Sequence, residues 1–297
     1  MKQTCVLVLG MHRSGTSALT GVLSFLDIYL ASIIGGDKNN EKGYFENWKI
    51  QQLSDKLLTS IDSSWDDAFF NLEKLEALEN SSAELKNIIV SEFKYSRLFA
   101  IKDPRACLLY PFYEKSLNEL DIDIKVIIPY RNPLEVACSL HARDQISLEK
   151  GMLLWAYHFL LAEKFSRGRE RIFVSFDELV KNTSNVVSDI SKKLTLDIEK
   201  KYAANSKKIA DFLEPNLKHH NISMDNFSSK LPKIISDILC LENKFNTSDL
   251  SEDFDRLRSE LFNYQRLFYN KNITVHLDDL EHTKKLLQDK DAELSLA

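Results

Sequence analysis

The stretch VLVLGMHRSGTSALTGVL, residues 6–23, joins an apolar run to a loop with two glycines and then to an amphipathic segment. The apolar run begins at residue 4 and shows no polar alternation, which is typical of a strand buried on both faces of a parallel sheet. Leucine and valine recur at helical spacing over residues 19–26, which predicts a helix after the loop. Backbone N–H groups in such a loop, together with the helix dipole, favour the binding of an anion.

The loop differs from the phosphate loop of nucleotide triphosphatases, G-x-x-x-x-G-K-[ST]. Gly10 and Gly15 keep the glycine spacing, but Thr16 follows Gly15 where that motif has its lysine. That lysine contacts the β and γ phosphates, so its loss disfavours a triphosphate with Mg²⁺. Arg13 instead supplies positive charge from inside the loop, with charge-assisted hydrogen bonds worth about 1.5–3 kcal/mol each. The loss of that lysine does not disfavour binding of a 5′-phosphate.

The first 180 residues alternate strand patterns with helix patterns. Further strands are predicted in RLFAIKDPR (97–105), DIKVIIPYRNP (123–133) and RERIFVSFDEL (169–179), and helices at about 48–61, 72–94 and 146–166. This alternation predicts an α/β fold, a P-loop-type doubly wound parallel sheet flanked by helices.

The last third of the chain predicts a helical C-terminal extension. Apolar residues at alternating four-three spacing from Leu250 to Phe268 predict an amphipathic helix. A partial heptad over residues 277–294 fits either a solvated terminal helix or the start of a coiled coil. The domain boundaries that we expect are 1–200 for the α/β domain, 201–270 for a helical part packed on it and 271–297 for the terminal helix.

Composition narrows the class of protein. The 297 residues carry a net charge of −5, so no global field attracts nucleic acid. The four cysteines are far apart and form no CxxC pair, which disfavours metal and disulfide frameworks. No stretch approaches the roughly 20 apolar residues of a membrane span, and the N-terminus lacks the pattern of a signal peptide. We expect a cytoplasmic protein without a metal, a transmembrane segment or a nucleic-acid partner.

A second basic motif follows the predicted strand KVIIPY, which ends in RNPLEVACSL. Arg131 lies at the strand tip and Ser139 inside the next helix. Open α/β sheets bind ligands at such strand ends, although either motif alone could be a structural arginine. Arg143, one turn beyond Ser139, could act with this pair or could form an ion pair with Glu135 or Asp144.

Together the two motifs resemble those of the sulfotransferases, which use 3′-phosphoadenosine 5′-phosphosulfate (PAPS) as donor. RSGTS (13–17) is similar to the family's 5′-phosphosulfate loop, and its arginine resembles the tyrosylprotein and bacterial branches. The resemblance extends through GYFE (43–46), IKDPR (101–105) and IFVSFDEL (172–179). It covers about residues 4–180 well and the remainder poorly.

The resemblance implies a donor site and a reaction. A sulfuryl group would move from PAPS to a hydroxyl or amine, leaving adenosine 3′,5′-bisphosphate, and no metal would be required. Arg131, Ser139 and Arg143 would bind the 3′-phosphate. The residues expected at the 5′-phosphosulfate are His12, Arg13, Ser14, Gly15, Thr16, Ser17 and Ala18.

The resemblance also implies catalytic residues. Arg13 would neutralise the leaving phosphate, and Lys102 resembles the family lysine near the sulfuryl group, with a surface salt bridge as the alternative. Glu46, expected at the first turn of a helix, is our choice for the base, with capping of that helix as the alternative. Asp103 and His12 are the rival bases. The histidine that the cytosolic enzymes use is replaced here by Pro104.

The sequence signals for the acceptor site are less specific than those for the donor site. Tyr44, Phe45 and Trp48 lie near Glu46 in the sequence. Aromatic faces stack on sugars, so a saccharide or glycolipid acceptor is our expectation, with core packing of these side chains as the open alternative. Asp103 and Arg105 are also expected on this side.

Two other functions remain open, namely a nucleotide or small-molecule kinase with a degenerate P-loop and a non-catalytic nucleotide-binding scaffold. The C-terminal helix permits a homodimer or a further domain.

Overall fold

A computed structural model describes residues 2–37, 40, 42–78, 81–213 and 231–268. The chain divides into two compact units, residues 1–257 and 258–297, and both the sheet and the candidate site belong to the first. The terminal helix predicted for 271–297 lies outside the described residues. The boundaries predicted at residues 200 and 270 stay predictions.

The predicted fold class is confirmed by a sheet of four parallel strands. The strands are β1 (Thr4–Val8), β2 (Leu98–Lys102), β3 (Asp123–Tyr130) and β4 (Glu170–Ser175). Their order is β2-β1-β3-β4, and every pairing is parallel. Residues 5–8 are fully buried, as expected for a strand covered on both faces.

Helices cover both faces of the sheet in the doubly wound manner. Within the described ranges, 3₁₀ turns at Leu72–Leu78 and Glu242–Lys244 accompany them. The α-helices are α1 (Thr16–Phe25), α2 (Trp48–Ser60), α3 (Ser82–Phe93), α4 (Ala106–Glu119), α5 (Pro133–Asp144), α6 (Leu148–Phe165), α7 (Phe176–Lys181), α8 (Thr183–Lys193), α9 (Glu199–Phe212), α10 (Lys233–Cys240) and α11 (Ser251–Phe268).

The single helix predicted over residues 72–94 is wrong. A 3₁₀ turn ends at Leu78, and α3 begins only at Ser82. Ser81 precedes α3, and serine is less favourable in a helix interior than at a helix end because its hydroxyl competes for backbone hydrogen bonds, although the Ser81 side chain makes no capping bond here. None of the helices in the described ranges combines the length and hydropathy that a membrane span needs.

The strand order places a ligand crevice between β1 and β3. From β1 the chain goes to β2 on one side and later to β3 on the other, and the loops at such a reversal diverge at the carboxyl ends of the strands. The loop at residues 9–15 and the segment beginning at Arg131 both start there. The two predicted anion-binding motifs are therefore neighbours in space.

Gly15, the residue before α1, cannot carry a side chain without strain. Its φ is +85°, and a Cβ would lie 2.5 Å from Cδ2 of Phe176. We expect Gly15→Ala to lower the free energy of unfolding by about 2 kcal/mol or more, since a left-handed residue and a steric overlap each cost about 1–2 kcal/mol. Urea unfolding measures this change. Gly35→Ala is the control, because no atom lies within 4 Å of its Cβ position, and equal stability of the two variants would contradict the expectation.

Candidate active site

The loop after β1 has an unusual backbone and an unsatisfied hydroxyl. Arg13 and Gly15 both have positive φ, 69° and 85°. Between them Ser14 is buried, and its Oγ has no hydrogen-bond partner among the described residues. A buried polar group without a partner costs about 1–3 kcal/mol. A ligand oxygen that accepted a hydrogen bond from the Ser14 hydroxyl would remove that cost.

Arg13, inside the loop, lies near two further arginines, Arg131 and Arg143. Arg13 Nε donates a hydrogen bond to Ser139 Oγ of α5 at 2.6 Å. Burial, together with the charges of Arg143 and Arg131, lowers the pKa of Arg13. Like charges brought together in a partly buried place are unfavourable for the protein alone and favourable for an anionic ligand.

Arg131 and Arg143 each have an acidic partner, and these pairs show which of Glu135 and Asp144 binds Arg143. Arg131 Nε donates to Glu135 Oε2 at 2.8 Å, and its guanidinium lies 4.7 Å from the ring centre of Phe176. Arg143 pairs with Asp144 at 2.7 Å rather than with Glu135. Both guanidinium groups are therefore held in place beside the loop.

Thr16, Ser17 and Ala18 form the first turn of α1. Thr16 is buried, and Ala18 packs against the hydrophobic core. Ser17 Oγ donates to the carbonyl oxygen of Tyr44 at 3.2 Å and accepts from Asn40 Nδ2 at 3.3 Å. These bonds tie the start of α1 to the segment that carries Glu46.

Lys102, the last residue of β2, forms a buried ion pair. Its Nζ donates to Glu46 Oε1 at 2.5 Å and to the carbonyl oxygen of Tyr44 at 3.1 Å. The two charged side chains are 2% and 6% exposed, so the surface salt bridge considered for Lys102 is excluded. Nζ also lies 3.5 Å from Ser17 Oγ, and this places the pair at the loop.

The sequence predicted Glu46 in the first turn of a helix, but Glu46 lies just before α2. Asn47 caps the helix, and its side chain accepts from two backbone N–H groups of the first turn at 3.1 Å. Capping is therefore not the role of Glu46. Its carboxylate lies between two cations, with Oε1 on Lys102 and Oε2 at 3.6 Å from Arg105 Nη1.

Asp103 and Arg105 form a network with Asp55, which the sequence analysis missed. Asp103 Oδ1 accepts from Arg105 Nη1 at 3.0 Å, and Oδ2 accepts from the Tyr113 hydroxyl at 3.0 Å. Arg105 also donates to Asp55 through Nε and Nη2. Although burial opposes it, the charges of Asp103, Asp55 and Glu46 raise the pKa of Arg105. Both oxygens of Asp103 are thus engaged in holding this network.

His12 faces the same region from inside the loop. Its ring lies edge-on to Trp65, with 4.5 Å between ring centres, and its buried Nε2 has no hydrogen-bond partner in the part of the chain that is described. Burial and the charges of Arg105, Arg143 and Lys102 hold the pKa of His12 well below its ordinary value. The imidazole is therefore neutral at pH 7.

The aromatic residues near Glu46 do not form one face. The Tyr44 hydroxyl donates to Asp37 at 2.8 Å, and the Phe45 ring lies 5.8 Å from that of Phe212. Trp48 is 43% exposed and lines a separate groove of 520 Å³ between α2 and α3. Trp65, in contrast, lies beside the site, against His12 and 5.5 Å from the Arg143 guanidinium. No sequence pattern pointed to Trp65.

A second buried histidine, His158 of α6, makes stability depend on pH. Burial lowers the pKa of His158 to about 4, whereas the unfolded value is about 6.5. Between these values the unfolded chain binds a proton that the folded chain does not. The contribution of His158 to the free energy of unfolding is therefore complete above about pH 6.5 and falls by about 1.4 kcal/mol per pH unit below it. Urea unfolding at pH 7 and pH 5 should show a shallower loss for His158→Phe than for wild type. Parallel losses would contradict the assignment.

Comparisons with known proteins gave matches among solved structures. No family model and no curated protein matches the sequence. The sulfotransferase domain from the curacin biosynthetic pathway is 14% identical, with a TM-score of 0.45 over 88% of this chain and 98% of that chain. The sulfotransferase domain of the Synechococcus PCC 7002 olefin synthase is 17% identical, with a TM-score of 0.43 over 88% and 95%. Mouse sulfotransferase SULT7A1 complexed with PAP is 15% identical, with a TM-score of 0.36 over 95% and 90%.

These structural neighbours are sulfotransferases, the family that the two sequence motifs resemble. With TM-scores below 0.5 the similarity does not by itself assign a function. No group of three or more histidine, cysteine, aspartate or glutamate side chains in the described ranges could hold a metal ion.

Proposed function

We propose that this chain is a sulfotransferase that moves a sulfuryl group from PAPS to an acceptor hydroxyl. The observation that carries the proposal is the convergence of Arg13, Arg131 and Arg143 around the unpartnered hydroxyl of Ser14. This convergence occurs where the strand order reverses, which is the usual ligand crevice of an open α/β sheet.

The residues fit a ligand with two separate anionic groups. The loop at residues 9–15 offers backbone N–H groups, the Ser14 hydroxyl and Arg13 to a 5′-phosphosulfate. A 3′-phosphate suits the second group of residues, which are Arg131 just after β3 and Ser139 and Arg143 of α5. When bound, PAPS would supply the activated sulfuryl group.

The chain's own groups would provide charge and a base. Transfer of this kind is analogous to phosphoryl transfer, in which positioning and charge stabilisation dominate. Lys102 Nζ and Arg13 would stabilise negative charge beside the loop. Glu46 Oε2, the oxygen that does not bind Lys102, would accept the proton of the acceptor hydroxyl. Asp103 would hold Arg105 and so keep Glu46 in place.

Calorimetry with adenosine 3′,5′-bisphosphate and adenosine 5′-phosphate tests the two-anion site. We expect the bisphosphate to bind at least tenfold more tightly, and Arg131→Ala and Arg143→Ala to remove most of that difference. The second variant guards against misfolding, because Arg131 has a buried partner whereas Asp144 is partly exposed. Arg169→Ala, which removes an arginine paired with Glu114 instead, is the control. Equal affinity of wild type for the two nucleotides would refute the proposal.

A further inference from the structure

The groove between α2 and α3 shares no lining residue with the candidate active site. Its volume of 520 Å³ falls within the range of about 300–1,000 Å³ that small-molecule sites usually have. Side chains three or four residues apart lie on the same face of a helix, and one face of each helix lines the groove. These faces carry Trp48, Gln52 and Lys56 of α2 and Glu84, Asn87 and Ser91 of α3. We call this cavity the Trp48 groove.

Two ion pairs join the helices across the Trp48 groove. Lys49 of α2 binds Glu92 of α3 near one end, and Lys56 binds Glu84 at 2.9 Å near the other. The pairing shows that the two helices run antiparallel here. Seven positions along α2 separate the two lysines, so the ends lie about 10 Å apart, which is longer than one sugar ring. Each lysine has a carboxylate partner, so the groove offers no surplus of positive charge to an anion.

Trp48 gives one end of the groove an exposed aromatic ring. Of the large hydrophobic side chains that are exposed in the described ranges, Trp48 is the one that lines this groove. Lys49 Nζ, which is bound by Glu92, lies 5.6 Å from the centre of the ring, and this contact helps to hold the indole in place. The faces of an aromatic ring carry partial negative charge, which attracts the C–H groups on one face of a sugar ring.

The middle of the groove is lined by two amides. Gln52 lies one turn along α2 from Trp48, and Asn87 lies across the groove on α3. Both side chains are exposed, and no hydrogen bond engages either amide within the described ranges. An amide group both donates and accepts, so each can bind neighbouring hydroxyl groups. An aromatic ring beside two such amides suits a ligand that has a C–H face and a rim of hydroxyls.

We propose that the Trp48 groove binds a neutral oligosaccharide. The paired lysines disfavour an anionic ligand. A stable protein partner usually needs about 800 Å² on each side and a cluster of apolar anchors, whereas this groove exposes one large hydrophobic side chain. A sugar chain matches both the length of the groove and its alternation of one aromatic ring with amide groups. This binding site is separate from the proposed nucleotide site and does not depend on it.

NMR of the indole N–H groups tests the proposal on the whole chain without nucleotide. The probes are cellotriose, maltotriose and mannotriose, with glycerol as a polyol that has no sugar ring. The Trp48 resonance is assigned as the one that Trp48→Phe removes. We expect at least one trisaccharide to shift this resonance to saturation, while the resonance of the buried Trp155 stays in place. The absence of a saturable shift with all three trisaccharides, or an equal response to glycerol, would overturn the proposal.

Variants studied by calorimetry complete the test. Trp48→Ala should weaken binding of the responsive trisaccharide by about tenfold, the scale of one aromatic contact, and Gln52→Ala should weaken it less. Tyr95→Ala is the matched control, because Tyr95 is 93% exposed and also lies against a lysine, Lys94, but does not line the groove. All three positions are exposed, and thermal unfolding checks that the variants keep their fold.

Two outcomes would contradict the assignment at this stage. One is unchanged binding in Trp48→Ala, or an equal loss in Tyr95→Ala. The other is a wild-type dimer that Trp48→Ala dissociates, which would make the groove an interface between copies of the chain. Adenosine 3′,5′-bisphosphate is absent from all these measurements, so their result is independent of the proposed function.

Discussion

Replacing Glu46 with glutamine should lower turnover by about 10²–10⁴-fold, the usual contribution of a general base, and leave the affinity for adenosine 3′,5′-bisphosphate nearly unchanged. The amide keeps an oxygen that can accept from Lys102 but cannot take the acceptor's proton. Glu46 is almost fully buried between Lys102 and Arg105, so its position is fixed and its loss should be felt in kcat. Transfer of labelled sulfate from PAPS measures the first quantity, and calorimetry measures the second.

The control for this variant is Asp55→Asn. It makes the same chemical change on another carboxylate that binds Arg105, one that is 42% exposed and does not contact Lys102. We expect Asp55→Asn to retain most of the turnover that Glu46→Gln loses. Breaking a buried ion pair can also cost about 3–5 kcal/mol, so both variants are compared below their unfolding temperatures. Wild-type turnover in Glu46→Gln would remove Glu46 as the base.

Replacing Arg13 with alanine should weaken binding of adenosine 3′,5′-bisphosphate by about tenfold to a hundredfold, since hydrogen bonds to a charged group contribute about 1.5–3 kcal/mol. Arg13 lies inside the loop after β1 and is fixed by its bond to Ser139. Arg13→Lys should recover only part of the affinity, because lysine keeps the charge but not the planar donor geometry. Calorimetry on the three proteins checks the order wild type, lysine, alanine.

The same substitution should not lower the stability of the unliganded protein. The folded state lowers the pKa of Arg13, because of burial and the charges of Arg143 and Arg131, so the charged form is less favourable there than in the unfolded chain. Removing the charge relieves this repulsion and offsets the loss of the bond to Ser139. A variant that unfolds at a lower temperature and still binds the bisphosphate normally would show that Arg13 is a structural residue.

The sheet was predictable because its strands are local apolar signals. The buried runs at residues 4–8 and 123–130 and the helical spacing of 148–165 each lie within one segment, and periodicity reports such segments well. The break near Ser81 was not predictable from the apolar pattern, because leucines on both sides kept helical spacing. The expectation that Glu46 lies in the first turn of this helix was wrong, since Asn47 caps α2 and Glu46 precedes it.

The site was predictable only where a motif spans it. Arg13 and Arg131 follow the ends of β1 and β3, and Lys102 is the last residue of β2. Parallel strands bring such positions to one edge of the sheet. Trp65 and Asp55 reach the site through tertiary packing, Trp65 from a connecting segment and Asp55 from α2. The sequence around them contains no motif typical of ligand binding, so only the folded structure shows that they lie at the site.

The most direct test of the central claim compares thermal unfolding with adenosine 3′,5′-bisphosphate, with ATP and Mg²⁺, and with buffer alone. A ligand that binds only the folded state at a hundredfold excess over its Kd stabilises it by about 2.7 kcal/mol. We predict that the bisphosphate raises the unfolding temperature and that ATP with Mg²⁺ does not, because the loop has Thr16 where a triphosphate site has lysine. Stabilisation by ATP with Mg²⁺ and not by the bisphosphate would contradict the account and make the chain a kinase candidate.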